Sequence, residues 1–339
     1  MKAVLVQAPN QLAVVTDLPR PEPNAYQALV RIEACSICNS TDRKILERHF
    51  VSQIPLPLVL GHESVGTIVA LGAEVRSYAL GQKVLRPGAA FPPDTGIASA
   101  WGGMAEYGLV TDLAAWQQDH PDERPHGQWA AQQIVPPEIP SDEATAIITL
   151  KETLSASRAA GVGPNTTCAI VGTGPVAQSF ALWARYLGAP LVAVYGRRAR
   201  WADTFMRLGV DAYVAKDRTW PDGAPPLPDG YDRVIEAVGS SEALQQALEL
   251  VAPGGRVGNY GVAPENDVMP APVQQGYAEG TILTLPVREQ DEHTEVLDLV
   301  RAGKIVLSDW MSHVLPIEDV EEGFRLLSER RATKVVLRV

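Results

Sequence analysis

Residues 168–198 (CAIVGTGPVAQSFALWARYLGAPLVAVYGRR) constrain the fold more than any other stretch. The opening CAIV is apolar and partly β-branched, which is typical of a buried strand. Residues 172–177 then follow the pattern G-x-G-x-x-G/A and lead into apolar residues at helical spacing. A second apolar run at 191–195 follows that helix. Strand, glycine turn, helix and strand in this order predict a dinucleotide-binding unit.

Each position of the glycine turn has a physical role. Gly172 makes the tight turn, and Gly174 lets the backbone approach a pyrophosphate at the helix N-terminus. Pro175 suits the first helical position because its φ is fixed and it has no N–H to leave unpaired. With Val176, these residues form the predicted cofactor site. A nucleotide-free α/β turn is the alternative interpretation.

Composition limits the classes of partner. The 339 residues suffice for two domains, and 46% hydrophobic with 20% charged residues is typical of a globular protein. A net charge of −11 without a basic face argues against nucleic-acid or anionic-membrane partners. Three cysteines imply no disulfide framework, and no apolar run approaches the ~20 residues that span a bilayer. We expect a cytoplasmic protein with a small-molecule partner.

Two patterns of predicted elements divide the chain. Residues 1–150 are short β runs between glycine turns, with no convincing long helix before residue 141, which predicts a β-rich domain or partly open barrel. Residues 151–287 alternate β and α runs, which predicts an α/β doubly wound parallel sheet. Within this second part, residues 220–229 and 263–280 are proline-rich and are predicted as loops.

Three segments carry side chains that could bind a metal ion: residues 35–42 (CSICNSTD), 61–63 (GHE) and 151–154 (KETL). A thiolate, an imidazole and one or two carboxylates suit a catalytic zinc, which keeps a position open for water or substrate. Spacing alone does not decide the matter. The alternative is that Cys38 is a small buried hydrophobe and His62 a hydrogen-bonded loop residue.

These segments, taken together, resemble the zinc-dependent medium-chain alcohol and polyol dehydrogenases. Residues 61–66 (GHESVG) resemble the signature G-H-E-x-x-G, and residues 37–42 resemble the catalytic-cysteine segment G-I-C-x-[ST]-D. Residues 152–155 (ETLS) resemble the E-P-L-[SA] segment of the sorbitol dehydrogenase branch. The GGMAEY turn at 102–107 and the closing segment, with His313, Asp319 and residues 334–337 (KVVL), extend the resemblance over essentially the whole chain.

The resemblance implies a discontinuous architecture. A β-rich GroES-like catalytic domain would consist of residues 1–150 and 288–339, because the tail returns to complete it. Residues 151–287 would form a Rossmann dinucleotide-binding domain. The resemblance also suggests a homodimer or homotetramer.

The same resemblance implies a set of zinc ligands. Cys38 and His62 are implied as ligands, and Glu63 as a ligand or as a catalytic carboxylate close behind the metal. Glu152 is implied as a third protein ligand, or as one that exchanges with water. Lys151 precedes it and could pair with its carboxylate, which would weaken the case for ligation.

The family's proton-relay hydroxyl has two candidates. The family places one residue between the catalytic cysteine and the hydroxyl before the aspartate. Here Asn39 and Ser40 both intervene before Thr41 and Asp42, so either Ser40 or Thr41 is implied as the relay.

A second, structural zinc is not expected. Residues 86–103 occupy the place of the structural-zinc lobe of many relatives, and they contain no cysteine. His120 and His126 lie in a polar loop without a regular ligand spacing and are interpreted as surface residues.

Residues 196–198 indicate which dinucleotide is bound. NAD-using relatives carry an acidic residue at the end of the second strand, about 20 residues after the glycine motif, which binds the ribose 2′-hydroxyl. That place falls on Gly196, and Arg197 and Arg198 follow; two guanidiniums can grip a phosphate. We therefore predict NADP(H) rather than NAD(H), with two solvated arginines as the alternative. Ala237 and Val238, at the end of a strand resembling the family's fourth, are implied beside the nicotinamide.

The sequence thus predicts a zinc-dependent oxidoreductase with one catalytic zinc. It would interconvert an alcohol and a ketone or aldehyde by hydride transfer with NADP(H). The sorbitol dehydrogenase resemblance favours a polyol, sugar or cyclitol. The alternatives are a zinc-free quinone or enone reductase on the same fold, against which Cys38, His62 and Glu63 argue, and a non-catalytic nucleotide-binding protein.

Overall fold

A computed structural model of the chain describes residues 1–125, 127–215, 218–221 and 229–339. His126 and most of the loop predicted at residues 220–229 lie outside these ranges. None of the helices that the structure describes is long and apolar enough to cross a membrane.

The described residues form strands and helices that we number in chain order. The strands are β1 (Ala3–Ala8), β2 (Gln11–Val15), β3 (Gln27–Ile37), β4 (Leu58–Val59), β5 (Glu63–Leu71), β6 (Lys83–Leu85), β7 (Ala98–Ser99), β8 (Tyr107–Thr111), β9 (Ile134–Val135), β10 (Cys168–Val171), β11 (Val192–Gly196), β12 (Ala212–Ala215), β13 (Arg218–Trp220), β14 (Tyr231–Glu236), β15 (Val251–Asn259), β16 (Ile282–Thr284), β17 (His313–Pro316) and β18 (Val335–Arg338). The helices are α1 (Thr41–Leu46), α2 (Leu113–Asp119), α3 (Ser141–Ala159), α4 (Pro175–Tyr186), α5 (Ala202–Arg207), α6 (Ser241–Leu250), α7 (Ala271–Ala278), α8 (His293–Arg301) and α9 (Val320–Ser328).

The chain divides into two compact units. One consists of Met1–Ile148 and His293–Val339, and the other of Thr149–Glu292. The predicted boundaries, after residue 150 and before residue 288, lie near these positions. The first boundary falls inside helix α3. The tail belongs to the first unit because its last strand, β18, pairs antiparallel with β3.

The first unit is built around the long strand β3. One sheet has the order β17-β18-β3-β5-β6-β9, with β8 also paired to β3, and another has the order β2-β1-β4-β7. Apolar residues of both sheets meet in one core, for example Val4 and Val6 of β1 with Cys35 and Ile37 of β3. Before α3, the described helices α1 and α2 have only 6 and 7 residues, as the β-rich pattern predicts.

The second unit contains one sheet of order β13-β12-β11-β10-β14-β15-β16, in which only the β12–β13 pairing among the described strands is antiparallel. Alternate residues of β10 face opposite sides. Ile170 packs in a core with Phe180 of α4, and Val171 packs in a separate core with Leu244 of α6. Helices on both faces confirm the predicted doubly wound sheet.

One prediction for this unit is wrong. Residues 263–280 were predicted as an irregular loop because of their prolines, but the structure has helix α7 at Ala271–Ala278. Pro270 is the N-cap and Pro272 lies in the first turn, where the missing N–H of proline leaves no helical hydrogen bond unmade. Val273 is fully buried and anchors the helix on the sheet.

A partly buried carboxylate links three elements of the first unit. Glu33 of β3 accepts hydrogen bonds from Thr67 Oγ1 of β5 at 2.8 Å and Ser141 Oγ of α3 at 2.5 Å. Burial disfavours the charged form, but these hydroxyls and Arg31 together lower the pKa of Glu33 below its usual value. A depressed pKa in the folded state stabilises the fold above the unfolded-state value of 4.5, and this contribution is lost as the pH falls through the folded-state pKa.

We therefore predict that Glu33→Gln lowers the free energy of unfolding at pH 7 by about 1 kcal/mol, because charge-assisted hydrogen bonds become neutral ones. The difference from wild type should shrink below pH 4.5, where the carboxyl is protonated in the unfolded chain. Urea denaturation at pH 7 and pH 4 measures both values. An equal difference at the two pH values would contradict the prediction.

Candidate functional site

The pairing of β18, β3 and β5 brings three chemically active segments together. Ser36 of β3 lies opposite Glu63 of β5, and Ile37 lies opposite Val335 of β18. Cys38 directly follows β3, His62 directly precedes β5, and Lys334 directly precedes β18. Residues far apart in the chain therefore meet at one end of adjacent strands.

Cys38, His62 and Glu63 form a group that suits a metal ion. Each offers one ligand atom, and these atoms all lie within 4.8 Å of one another. His62 Nε2 lies 3.9 Å from Glu63 Oε1. Sulfur, imidazole nitrogen and carboxylate oxygen are the donors that zinc prefers, and three protein ligands leave a position for water or substrate.

Asp42 orients two of these ligands. Its Oδ2 accepts the backbone N–H of Cys38 at 2.8 Å, and its Oδ1 lies 3.2 Å from His62 Nδ1. A carboxylate on Nδ1 holds a proton there, so that the neutral ring would have its lone pair on Nε2, where a metal could bind. This chain has one residue more between Cys38 and Asp42 than the family pattern has. Asp42 nevertheless lies within hydrogen-bond distance of the His62 ring.

The buried carboxylate of Glu63 has a cation and a hydroxyl beside it. Lys334 forms an ion pair with Glu63, and Ser36 donates its hydroxyl to the same carboxylate oxygen. Burial disfavours the charged form, but Lys334 and His62 lower the pKa of Glu63. Glu63 therefore stays ionised, which is the form that ligates metals.

Charge also favours the thiolate of Cys38. Burial raises the pKa of a thiol, but the hydrogen bond and charge of His62 lower the pKa of Cys38 below its ordinary value. Burial disfavours an imidazolium, but Asp42 and Cys38 raise the pKa of His62 well above its ordinary value. The backbone N–H of Thr41 also points to Cys38 Sγ, at 3.4 Å.

The two relay candidates lie at the start of α1. Ser40 is the N-cap residue, and its Oγ accepts a hydrogen bond from Lys44 Nζ at 3.0 Å. Thr41 is the first residue of the helix. The choice between the two hydroxyls stays a prediction.

Glu152 lies in the second unit, on α3. Tyr260 donates its hydroxyl to Glu152 Oε2 at 3.2 Å. The neighbouring Lys151 is fully buried and forms an ion pair with Glu289, with Nζ and Oε2 3.5 Å apart. Ligation by Glu152 stays a prediction. His120, interpreted as a surface residue, is partly buried with its ring stacked on Trp116.

A cavity of about 340 Å³ in the first unit borders His62. Its wall includes Arg86, which donates from Nη1 to the carbonyl of His62 at 2.7 Å, and Trp101, whose ring centroid lies 5.4 Å from that of His62. Ser99 and Gln132 also line it. The volume suits a small molecule.

The glycine turn of the second unit has the predicted geometry. Gly172 follows β10 with φ +137°, and Gly174 is the N-cap of α4 with Pro175 at its first position. A Cβ on Gly172 would lie 3.3 Å from both Ala237 O and Val238 Cγ2. The ends of β10 and β14 are thus adjacent, at the point where the strand order reverses and where such sheets bind ligands.

Residues 196–198 lie at the end of β11 in the same unit. Arg197 and Arg198 are both exposed, and Arg197 Nη2 pairs with Glu242 Oε2 at 2.9 Å. The side chains of this pair are 70% and 81% exposed. Exposed ion pairs of this kind contribute little to stability, so a bound phosphate could replace Glu242 as the partner of the Arg197 guanidinium.

Comparison with known proteins agrees with this architecture. Residues 24–118 match the family model described as an alcohol dehydrogenase GroES-like domain, and residues 175–302 match the model described as a zinc-binding dehydrogenase. The chain belongs to the zinc-binding medium-chain dehydrogenases. It is an oxidoreductase of the alcohol dehydrogenase type with a GroES-like domain and a Rossmann-like domain.

Relatives of this zinc-binding dehydrogenase extend over nearly its whole length. It is 27% identical to the NADP-dependent isopropanol dehydrogenase of Thermoanaerobacter brockii, over 92% of each chain. It is 26% identical to the L-threonine 3-dehydrogenase of Bacillus subtilis strain 168, over 99% of this chain and 98% of the relative. Alcohol dehydrogenase TADH from Thermus sp. ATN1 superposes with a TM-score of 0.77 at 25% identity, over 100% of both chains.

Sequence reasoning missed two side chains of this dehydrogenase that contact the candidate ligands. Asp42 was noted as part of a motif but was not assigned to the site, and Lys334 was noted only in the closing segment. A lysine before the apolar run VVLRV could have indicated a buried cation, but its contact with Glu63 depends on the pairing of β18 with β3. Cys35, by contrast, packs in the core, with Sγ beside Gly61.

We predict that iodoacetamide alkylates Cys38 in the zinc-free dehydrogenase and leaves the other two cysteines unmodified. Cys38 is partly exposed with a lowered pKa, whereas burial raises the pKa of Cys35 and raises that of Cys168 to about 12. Added zinc should protect Cys38, because a metal-bound thiolate is blocked. Peptide mass spectrometry measures each site. Modification of Cys168 at native conditions, or no zinc protection of Cys38, would contradict the assignment.

Proposed function

We propose that this dehydrogenase interconverts an alcohol and a ketone or aldehyde with one zinc ion held by Cys38, His62 and Glu63. The observation that carries the proposal is the close approach of these three ligand atoms, with Asp42 placed on the imidazole nitrogen that faces away. Charge supports it as well. With a metal-bound thiolate and a neutral imidazole, the acidic side chains of Cys38, Asp42 and Glu63 would carry three negative charges and Lys334 one positive charge, so a divalent cation would neutralise the group.

The chain's own residues would prepare and hold this chemistry. A bound zinc ion would supply a Lewis acid that acidifies the substrate hydroxyl, and a bound nicotinamide would exchange a hydride with the carbinol carbon. Asp42 keeps the proton on His62 Nδ1, and Lys334 keeps Glu63 ionised. Ser40 or Thr41, at the N-terminus of α1, would pass the substrate's proton towards solvent. Glu152 is proposed as the ligand that exchanges with water.

We propose NADP(H) as the dinucleotide. Gly172, Gly174, Pro175 and Val176 would bind its pyrophosphate, Ala237 and Val238 would lie at the nicotinamide half, and Arg197 and Arg198 would bind the 2′-phosphate beside Gly196. The isopropanol dehydrogenase relative is described as NADP-dependent. A proposed zinc-binding dehydrogenase of Sinorhizobium meliloti 1021, with a TM-score of 0.78 and 25% identity over 100% of this chain and 99% of that chain, is bound to NADP.

We propose a secondary alcohol of the polyol, sugar or cyclitol class as substrate. The polyol preference rests on the sorbitol dehydrogenase resemblance of residues 152–155. Isopropanol and L-threonine, the substrates in the relatives' names, both carry a secondary hydroxyl. The cavity beside His62 offers polar groups from Arg86, Ser99 and Gln132 and an aromatic face from Trp101, which suits a hydroxylated ligand. A homodimer or homotetramer in the cytoplasm stays a prediction.

We predict that Cys38→Ser and His62→Ala abolish zinc binding and lower kcat by about a thousandfold or more, because the Lewis acid is lost. NADPH binding should change less than about twofold, since the dinucleotide residues belong to the other unit. Elemental analysis, steady-state kinetics on a panel of polyols and ketones, and fluorescence titration of NADPH measure these effects. Cys35→Ser is the matched control and should retain zinc. Full activity in a zinc-free sample would refute the metal mechanism.

We predict that Arg197→Ala/Arg198→Ala weakens NADPH binding by about tenfold or more, since two charge-assisted contacts to the phosphate are lost. NADH binding should stay within about twofold of wild type, because NADH carries no 2′-phosphate. Arg207→Ala, which removes a charge from α5, is the control. Equal wild-type affinities for NADPH and NADH would exclude the proposed preference.

A further inference from the structure

Tyr213 reaches from the core of the Rossmann-like unit to the end of β11. It belongs to β12, where it lies opposite Val194, and its ring is fully buried against Phe205 with centroids 5.5 Å apart. Its hydroxyl donates to the carbonyl of Arg198 at 2.6 Å. A core side chain therefore holds the backbone that carries the arginine pair.

The same hydroxyl fills the space beside Gly196. A Cβ on Gly196 would overlap Tyr213 Oη and Thr173 Cγ2, at separations well below the 3.0 Å that real Cβ contacts essentially never cross. Gly196 does not have a positive φ, so lack of space for a side chain, and not backbone conformation, requires glycine at this position. Any side chain at position 196 would have to displace the tyrosine hydroxyl and the threonine methyl.

The Tyr213 hydroxyl keeps its proton and so remains a hydrogen-bond donor. Burial raises the pKa of Tyr213 to about 12, so it stays protonated throughout the physiological range. Arg198 has extended backbone angles, φ −135° and ψ 125°, and precedes a short 3-10 helix at Ala199–Trp201. A hydrogen bond to its carbonyl restrains the backbone of Arg198, and with it the Cα that carries the side chain.

We propose that Tyr213 is a positioning residue that sets the dinucleotide preference of this enzyme. Its hydroxyl holds the Arg198 carbonyl, which presents the guanidinium to a 2′-phosphate. Its hydroxyl also fills the place where an acidic side chain at position 196 would bind the ribose 2′-hydroxyl of NAD(H). The proposal rests on the NADP(H) site proposed above, and it adds a buried core residue that acts through the Arg198 backbone and through the space beside Gly196.

Dissociation constants test the positioning half of the proposal, namely that the Tyr213 hydroxyl holds the Arg198 carbonyl. Tyr213→Phe removes only the hydroxyl, and we expect it to weaken NADPH binding by about fivefold, the effect of one lost hydrogen bond, with NADH within about twofold. Tyr231→Phe is the matched control, because it removes another buried tyrosine hydroxyl, 3.1 Å from that of Tyr195, in the same sheet. Fluorescence titration of the full-length chain gives all the constants. Equal weakening of both dinucleotides by Tyr213→Phe, or of neither, would overturn the proposal.

Thermal denaturation without any dinucleotide tests the steric half of the proposal, namely that the Tyr213 hydroxyl fills the space beside Gly196. Gly196→Ala should lower Tm by about 3–8 °C in the wild-type background, as overpacking does. In the Tyr213→Phe background the loss should be about half as large, because the nearest of the three atoms that lie within 3.0 Å of the new Cβ is gone, while Tyr213 Cζ and Thr173 Cγ2 remain. In the Tyr231→Phe background it should be undiminished. Equal losses in the Tyr213→Phe and wild-type backgrounds would show that the hydroxyl does not fill this space.

The two tests separate this proposal from the proposed cofactor. If Arg197→Ala/Arg198→Ala removes the NADPH preference and Tyr213→Phe does not, the cofactor assignment stands and the role of Tyr213 is refuted. If wild type binds NADPH and NADH equally, the cofactor assignment fails and the positioning half fails with it. The Tm coupling between positions 196 and 213 then still supports or overturns the steric half.

Discussion

The candidate metal site depends on the antiparallel pairing of β3 with β5 on one side and β18 on the other. That register puts Ser36 opposite Glu63 and Ile37 opposite Val335. A slip of one residue between β3 and β5 would turn Glu63 to the other face and bring Ser64 into its place. The register is itself fixed by apolar side chains of β3, such as Cys35 and Ile37, that are fully buried. The core thereby determines where the metal ligands lie.

Charge sets the second constraint on this site. Glu63 and Asp42 are buried carboxylates, and a buried ion without a partner is strongly destabilising. Lys334, directly before β18, forms an ion pair with Glu63, and Asp42 is held by the Cys38 N–H and the His62 ring. The protein can therefore fold with the Glu63 carboxylate ionised and the three ligand side chains in place. Such preorganisation favours metal binding because the ligand atoms already lie close together.

Local signals could be predicted from the sequence, and non-local ones could not. The turn Gly172–Pro175 has its required φ and cap positions written in four consecutive residues, and the structure has them. The prolines at 270 and 272 misled the interpretation because proline is compatible with a helix start as well as with a loop. Lys334 and Tyr213 were missed for a different reason. Lys334 contacts Glu63 of β5, and Tyr213 contacts Arg198 in the loop after β11. Both contacts depend on how distant segments pair in the sheets, which no local pattern shows.

Gly196 shows how the structure changes the meaning of a sequence signal. From the sequence, the lack of a carboxylate at this position argued for NADP(H). In the structure the position cannot hold any Cβ without displacing Tyr213 and Thr173, so packing alone accounts for the glycine. Support for the proposed NADP(H) preference then comes from Arg197 and Arg198, which packing does not require because both are exposed. Only Arg198 is tied to the core through its carbonyl, whereas Arg197 pairs with the exposed Glu242. The two arginines are therefore not equivalent, because the fold restrains the backbone of Arg198 through Tyr213.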